Sequence, residues 1–272
     1  YLDQLQNEED IEKIQYQAPW IVEEEKEHIQ EIVDKSFGDF LEFRFSGYDF
    51  FYYVMDLIGS LHGVENVYYD LADRPEFIHR LAKKLSENFL RFVNDMEKIG
   101  LITYHMEVVH CSGGYYDWKD EPVEPGKKLN AKNTWGFGSA QIFSACSLAT
   151  HEEFEQYSIP FYEKFGLVNY GCCEPLDRKI SFIRKIPNVR KISISPWADV
   201  KTAAEQIGGD YIITNKPNPS CFVSDNFDAV QLMPEMEKRI QICKETGTPI
   251  EFIMKDISSV RYKVDRLISW EK

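Results

Sequence analysis

The chain has 272 residues, of which 43% are hydrophobic, and its 31 Lys and Arg against 45 Asp and Glu give a formal net charge of −14. The hydrophobic share is large enough to build a core, so intrinsic disorder is excluded. The acidic balance and the lack of a basic run disfavour a nucleic-acid partner, because binding phosphates needs clustered Lys and Arg. No apolar stretch reaches the ~18 residues of a membrane span and no signal-peptide pattern opens the chain. The six cysteines lack disulfide-framework spacing, so we expect a cytoplasmic protein with reduced thiols.

Residues 1–39 predict a helical N-terminal extension. This segment is polar and rich in helix formers, and its isoleucines recur at loosely helical spacing. The chain starts at Tyr1 rather than at Met, which we interpret as truncation at the N-terminus.

Residues 40–272 alternate between short β-branched or aromatic runs and longer amphipathic segments, which is typical of βα units. The predicted strands are Phe40–Phe45, Val67–Tyr69, Ile102–Val109, Leu167–Tyr170, Lys191–Ser195, Tyr211–Thr214 and Ile250–Met254. The predicted helices are Phe50–Ser60, Pro75–Ile99, His151–Phe165, Asp177–Ile186, Val200–Ile207, Ala229–Thr246 and Val260–Trp270.

Seven strands that each precede a helix come close to the eight of a TIM (β/α)8-type barrel, and we predict that fold. Residues 112–138 break the alternation, since they gather Gly, Pro, Lys and aromatic residues without periodicity. We predict that they form a loop or lid insertion on the face where barrels build their active sites.

Polar residues follow the predicted strands at their carboxyl ends, which is where barrel enzymes place their chemistry. The candidate catalytic residues are His110, Asp199, Lys216 and Lys255, and the candidate substrate contacts are Glu107, Tyr170, Trp197, Asn218 and Asp256. Three of these candidates have structural alternatives. Asp199 is equally well placed to cap a helix, and the two lysines could close the mouth of the barrel as ion pairs.

Cys172, Cys173 and Glu251 are the candidate ligands of a metal ion. Thiolates together with an imidazole or carboxylate are the ligands that zinc prefers, and a catalytic zinc keeps one position open. Adjacent cysteines do not easily both bind one tetrahedral ion, so one ligand and one neighbour are expected. The alternative is that they are two buried small residues at a tight turn.

The segments that run from Asp70-Leu71-Ala72-Asp73-Arg74-Pro75 through Ser139-Ala140-Gln141-Ile142 to Gly171-Cys172-Cys173 resemble, in order, the uroporphyrinogen decarboxylase superfamily. The resemblance covers the chain from about Ser46 to the C-terminus. It implies a TIM barrel and one of two chemistries, which are metal-free decarboxylation of uroporphyrinogen and zinc-dependent methyl transfer with a corrinoid protein.

The methyltransferase branch carries a His-x-Cys-Gly motif where this chain has Tyr170-Gly171-Cys172-Cys173-Glu174. The cysteine is kept, the histidine is absent, and the later cysteine of the family has no counterpart beside Ile250. The Arg-rich N-terminal motif of the decarboxylase branch is also absent from this chain. Harder ligands such as Glu251, Asp256 or His110 would suit a metal that activates an oxygen or ether substrate.

We therefore predict a methyltransferase component that moves a methyl group between a small substrate and cobalamin carried on a partner protein, with zinc as a Lewis acid. The alternatives are a decarboxylase of a carboxylate-rich substrate and a non-catalytic barrel that binds a small molecule. The superfamily also makes a homodimer a possible assembly.

Overall fold

The computed structural model describes residues 3–43, 45, 47–48, 50–102, 129–138, 142–143 and 146–271. Its strands are β1 (Phe51–Tyr52), β2 (Trp135–Gly138), β3 (Leu167–Tyr170), β4 (Val189–Ile194), β5 (Ile212–Asn215) and β6 (Ile250–Phe252). Its α-helices are α1 (Glu23–Phe37), α2 (Val54–His62), α3 (Val64–Asp73), α4 (Pro75–Lys98), α5 (Leu148–Glu155), α6 (Ile159–Tyr162), α7 (Ile180–Ile183), α8 (Val200–Ile207), α9 (Met233–Thr246) and α10 (Asp265–Glu271). Shorter 3-10 turns lie at Glu8–Lys13, Ala131–Asn133, Pro219–Val223 and Ala229–Leu232.

The six described strands form one sheet in the order β1-β2-β3-β4-β5-β6, and each neighbouring pair is parallel. Two neighbouring parallel strands need a crossover segment to connect them. Helices form the crossovers from β3 to β4, from β4 to β5 and from β5 to β6. The structure is therefore a mixed α/β fold built on a parallel sheet with flanking helices.

The two faces of the sheet differ in chemistry. One face, which we call the helix face, carries apolar residues such as Ile192, Ile194 and Ile213, which join the main core together with the helices. The opposite face, which we call the Lys191 face, carries the register partners Asn169 and Lys191. Trp135 and Phe137 form a separate small apolar cluster at the β1–β3 end of the Lys191 face.

The amphipathic helices α4 and α8 supply much of the core. Helix α4 starts with Pro75, whose missing N–H costs nothing in a first turn, and it buries eight residues that include Phe77, Leu81 and Val93. Helix α8 is capped by Asp199, whose Oδ1 accepts a hydrogen bond from Thr202 N at 2.8 Å.

Gly138 lets a tyrosine pack directly onto the backbone of β2. A Cβ atom at this position would lie 1.9 Å from Tyr162 Oη, so any side chain here would displace that ring from the helix face.

The predicted strands Leu167–Tyr170, Lys191–Ser195, Tyr211–Thr214 and Ile250–Met254 are confirmed as β3 to β6, with shifts of one or two residues at their ends. Among the helices, Val200–Ile207 is confirmed as predicted, and Pro75–Ile99 is confirmed to within one residue. Because these segments combine strong periodicity with clear caps, their limits follow from the sequence.

The prediction of a strand at Val67–Tyr69 is wrong, because these residues lie within α3. Val67 is buried whereas Tyr68 and Tyr69 are exposed, which is the pattern of a helix with one face on the core. Phe40–Phe45 is also not a strand in its described part, and Phe40 and Leu41 are exposed to solvent. Of Ile102–Val109, only Ile102 is described, and it forms an isolated parallel bridge with Tyr48.

Two strands escaped prediction. Phe51–Tyr52 is β1, whereas the sequence predicts the start of a helix there, and this helix begins at Val54 instead. Trp135–Gly138 is β2, a fully buried strand, whereas the sequence predicts that it belongs to the loop 112–138. Residues 112–128 of that predicted loop lie outside the described residues.

Several predicted helices are shorter or divided. His151–Phe165 separates into α5 and α6, and Pro160 lies in the first turn of α6. Asp177–Ile186 is reduced to α7, the start of Ala229–Thr246 is a 3-10 turn, and the last helix begins at Asp265. Within the described ranges, no helix combines the length and the apolar character that crossing a membrane requires.

Candidate active site

The turn after β3 presents two adjacent cysteines at the carboxyl end of the sheet. Gly171 has φ 93°, and a Cβ atom there would lie 2.5 Å from Leu176 Cδ1 and 3.2 Å from Ser193 Cβ. Both the backbone conformation and the space therefore require glycine. Glu174 closes the turn, since its buried Oε2 accepts a hydrogen bond from Cys172 N at 2.7 Å.

The carbonyl oxygen of Cys172 ties this turn to the next two strands. It accepts hydrogen bonds from Lys216 Nζ at 2.5 Å and from Ser193 Oγ at 2.8 Å, and Lys216 also donates to Ser193 Oγ. Ser193 lies on β4 and Lys216 directly follows β5, so three neighbouring strands fix one point of the site.

The two thiols lie next to each other and share one cation. Cys172 Sγ and Cys173 Sγ are 3.6 Å apart, and Lys255 Nζ lies 3.3 Å and 3.0 Å from them, respectively. Asp256 Oδ2 is 3.0 Å from the same ammonium group and 3.9 Å from Cys173 Sγ. A nearby ammonium group stabilises a thiolate, which is the reactive form of cysteine.

The titration of these groups is coupled. The pKa of Cys173 is raised, first by its hydrogen bond with Cys172 and then by burial, and Lys255 offsets only part of this rise. Burial alone would lower the pKa of Lys255, but its hydrogen bond to Cys173 and the charge of Cys172 raise it. We interpret the pair as carrying one negative charge, which the Lys255 ammonium group balances.

The pKa of Lys216 is lowered, whereas the pKa of Lys255 is raised. Burial lowers the pKa of Lys216, and the neighbouring Lys255 charge acts in the same direction, while the anionic groups around Cys172 oppose them. A lysine with a lowered pKa releases its proton more readily near neutral pH than an exposed lysine does.

A cavity of about 550 Å³ opens above this cluster. Most of the surface of its walls is apolar, as is usual for sites that bind small molecules. The lining residues are Cys173, Pro196, Trp197, Lys216, Pro217, Asn218, Pro219, Ser220, Val223, Lys255, Asp256 and Ser258.

The structure brings together seven of the twelve site residues predicted from the sequence. Those that line the cavity are Cys173, Trp197, Lys216, Asn218, Lys255 and Asp256, and Cys172 joins them through its contact with Lys255. His110 and Glu107 lie outside the described residues.

The other predicted site residues lie elsewhere. Asp199 is the exposed N-cap of α8 and does not line the cavity. Of the two roles considered for this residue, helix capping is therefore the one that the structure shows. Tyr170 points to the helix face, where its hydroxyl binds Glu155 and His151. Glu251 lies on the Lys191 face and accepts hydrogen bonds from Lys191 Nζ at 2.8 Å and Thr214 Oγ1 at 2.5 Å.

The predicted zinc ligands do not assemble among the described residues. No group of three His, Cys, Asp or Glu side chains in that part of the chain could hold a metal ion. Glu251 is instead committed to Lys191 and Thr214, and an ammonium group lies beside both sulfurs. A zinc ion at this pair would need further ligands from residues outside the described ranges.

Sequence reasoning missed Ser193, Glu174 and Lys191. The segment Lys191-Ile192-Ser193-Ile194-Ser195 alternates polar and apolar residues, so its period of two could have placed Lys191 and Ser193 on one face of a strand. Glu174 had no comparable signal, because its role depends on the geometry of the turn.

Comparison of the chain with protein-family models, with curated proteins and with solved structures finds no significant match.

Proposed function

We propose that this chain is a TIM-barrel enzyme that takes a methyl group from a small substrate and passes it to a corrinoid carried on a partner protein. The observation that carries the proposal is the small cavity in which Lys216 and the Cys172–Cys173–Lys255 cluster meet an apolar wall. The resemblance to the uroporphyrinogen decarboxylase superfamily suggested the reaction, and the chemistry of the cavity favours it over the alternatives.

The order of the strands supports the barrel. In a barrel every strand pairs with the next βα unit along the chain, whereas open doubly wound sheets reverse their strand order near the middle. The described strands run from β1 to β6 without a reversal. The second, partly polar layer on the Lys191 face also fits a barrel interior filled by side chains.

The charges in the cavity favour a neutral substrate over a polycarboxylate. Lys255 already has two sulfurs and the Asp256 carboxylate as partners, and Lys216 donates two hydrogen bonds within the protein. Lys255 is thus balanced by partners within the protein, which leaves Lys216 as the one available cation among the lining residues, whereas binding several carboxylates needs several available cations.

Lys216 is the proton donor of the proposed reaction. When a methyl ether reacts, its methyl–oxygen bond breaks, the methyl carbon bonds to the Co(I) corrinoid, and cobalt supplies the electron pair and becomes Co(III). The ether oxygen takes a proton from Lys216, whose lowered pKa suits it to general acid catalysis.

The remaining residues bind and orient. Trp197, Pro217 and Val223 provide apolar contact, and Asn218 offers an amide beside Lys216. The thiolate that Lys255 stabilises lies under the cavity and favours a protonated Lys216. Because the described residues do not fit a zinc site, no step is assigned to a metal.

The test combines the purified protein with cob(I)alamin and small methyl ethers, such as 2-methoxyphenol, without oxygen. The proposal expects conversion of cob(I)alamin to methylcobalamin, followed by absorbance, only when the protein is present. Release of carbon dioxide from a porphyrinogen, or binding of small molecules without any turnover, would refute it and support one of the two alternatives. Metal analysis of the same preparation tests the zinc prediction separately.

A further inference from the structure

Three buried polar atoms on the β2 and β3 strands of the Lys191 face have no hydrogen-bond partner within the described part of the chain. They are Trp135 Nε1 and both side-chain polar atoms of Asn169, Oδ1 and Nδ2. Asn169 is fully buried and Trp135 is 2% exposed. Folded proteins rarely leave such groups unsatisfied, because each unmade hydrogen bond costs stability, so these atoms call for a partner.

The two residues belong to a polar band that crosses the sheet. Asn169 on β3 pairs in register with Lys191 on β4, and the Lys191 ammonium group lies 5.4 Å from the centre of the Trp135 ring on β2. Thr214 on β5 and Glu251 on β6, which pair in register, complete the band.

The band carries no free charge that would select an ion. The Lys191 ammonium group is buried and paired with Glu251, which also accepts the Thr214 hydroxyl group. The hydrogen-bonding groups without a partner in the band are neutral and belong to Asn169 and Trp135. They are one amide acceptor, one amide donor and one indole donor.

The band ends next to the cavity and reaches solvent at one end, although Asn169 and Trp135 themselves do not line the cavity. Lys216 follows Thr214 by two residues and so continues the same face of β5, and it lines the cavity. The side chain of Glu251 is 28% exposed, so solvent enters the band at its β6 end.

We propose that Asn169 and Trp135 form a subsite for a neutral group that carries a hydrogen-bond acceptor beside a donor, as in an amide or a lactam. The acceptor takes the N–H groups of Trp135 and Asn169, and the donor binds Asn169 Oδ1. That this group belongs to the substrate rests on the proposed function, but the binding itself does not.

The test measures binding of the lactam 2-piperidone and of cyclohexanone, which has a similar ring but lacks the N–H donor. We expect 2-piperidone to bind the wild type about tenfold more tightly than cyclohexanone, as one added hydrogen bond allows. In Asn169→Leu this preference disappears, and in Trp135→Phe both ligands bind more weakly. Trp20→Phe, a change at an exposed tryptophan, is the matched control and leaves both affinities unchanged.

Thermal unfolding adds a readout that a merely structural role would not give. If Asn169 lacks a partner in the free protein, Asn169→Leu raises the unfolding midpoint by about 2–4 °C while it abolishes lactam selectivity. Equal affinity of the wild type for the two ligands, or a lower midpoint of Asn169→Leu, would overturn the subsite and indicate that enclosed water satisfies the amide. Lactam binding by a protein that fails to methylate cob(I)alamin with 2-methoxyphenol would instead refute the proposed function and leave the subsite standing.

Discussion

Lys255 Nζ lies 3.0 Å from Cys173 Sγ, although the two residues are 82 positions apart in the chain. The contact joins the turn after β3 to the segment after β6, at the carboxyl ends of strands that are not neighbours in the sheet. It places an ammonium group beside a thiol pair at the floor of the apolar-walled cavity described above.

The Lys255–thiol contact predicts how fast the cysteines react. Lys255→Met removes the cation that stabilises the thiolate, so alkylation by iodoacetamide at pH 7.5 slows by about tenfold or more. Peptide mapping by mass spectrometry assigns the rate to Cys172 and Cys173. Lys185→Met is the control, because Lys185 pairs with Glu152 on the surface, and its alkylation rate matches that of the wild type. Equal rates in Lys255→Met and wild type would show that Lys255 does not ionise the pair.

The same contact predicts a dependence of stability on pH. The pKa of Lys255 is raised in the folded state above its ordinary value of 10.5, so its contribution is fully present below pH 10.5 and is lost as the pH rises through the folded value. Chemical unfolding between pH 10 and pH 12 measures the onset of this loss. In Lys255→Met the loss of stability over this range becomes smaller, and an unchanged profile contradicts the assignment.

Asp256 combines a functional contact with a strained backbone. Its φ is 60°, a region that residues other than glycine adopt at a cost. Asp256→Gly is expected to raise the free energy of unfolding by about 0.5–1 kcal/mol, since the exposed ion pair with Lys255 contributes little to stability. Asp256→Asn keeps the strain and removes the charge, so it leaves stability nearly unchanged. Denaturant titration compares the variants, and a less stable Asp256→Gly would show that the strain is not relieved.

Lys191 and Glu251 are expected to behave as a coupled pair. Lys191→Met leaves the partly buried Glu251 carboxylate without its cation and is predicted to destabilise the fold by about 3 kcal/mol. The double variant with Glu251→Leu recovers much of this loss, because no unpaired charge remains. Denaturant titration of the two single variants and the double variant gives the coupling energy. Additive losses would mean that the pair does not interact as described.

A buried hydrogen-bond network on the helix face gives a further test. Tyr170 Oη donates to Glu155 Oε2 at 2.5 Å and lies 2.9 Å from His151 Nε2. Tyr170→Phe withdraws a donor from a buried carboxylate, so it is expected to cost about 1–3 kcal/mol. Tyr52→Phe is the matched change, since Tyr52 is equally buried but bonds only the neutral Ser86 hydroxyl group. Unfolding free energies in which Tyr52→Phe costs more than Tyr170→Phe would contradict this ranking.

The sequence was informative where periodicity and caps agree, and less so where tertiary packing decides. Helix α8, with its Asp199 cap, and the apolar runs of β4 and β5 follow from local pattern. Strand β2 does not follow from local pattern, because Trp-Gly-Phe-Gly has no period that identifies a strand. Its glycines are required because Phe165 and Tyr162 pack against them, which only the tertiary structure shows.

The candidate site shows the same division. The sequence predicts that the site lies at the strand ends, because polar residues that follow parallel strands converge at one edge of the sheet. The same argument identifies residues such as Cys173, Lys216 and Lys255. The pairing of Lys191 with Glu251 could not be predicted from the sequence, since it depends on the register of three strands. Glu251 was therefore predicted as a metal ligand, whereas the structure commits it to an ion pair.

The most direct measurement of the central claim is the rate of cob(I)alamin methylation by Lys216→Met. If Lys216 delivers the proton to the departing oxygen, the rate with 2-methoxyphenol falls by about 100-fold or more, and the alkaline limb of the wild-type pH profile disappears. Lys201→Met on α8 serves as the control for loss of a lysine, since Lys201 faces solvent beside Glu205. A folded Lys216→Met protein that methylates cob(I)alamin as fast as wild type would contradict the account.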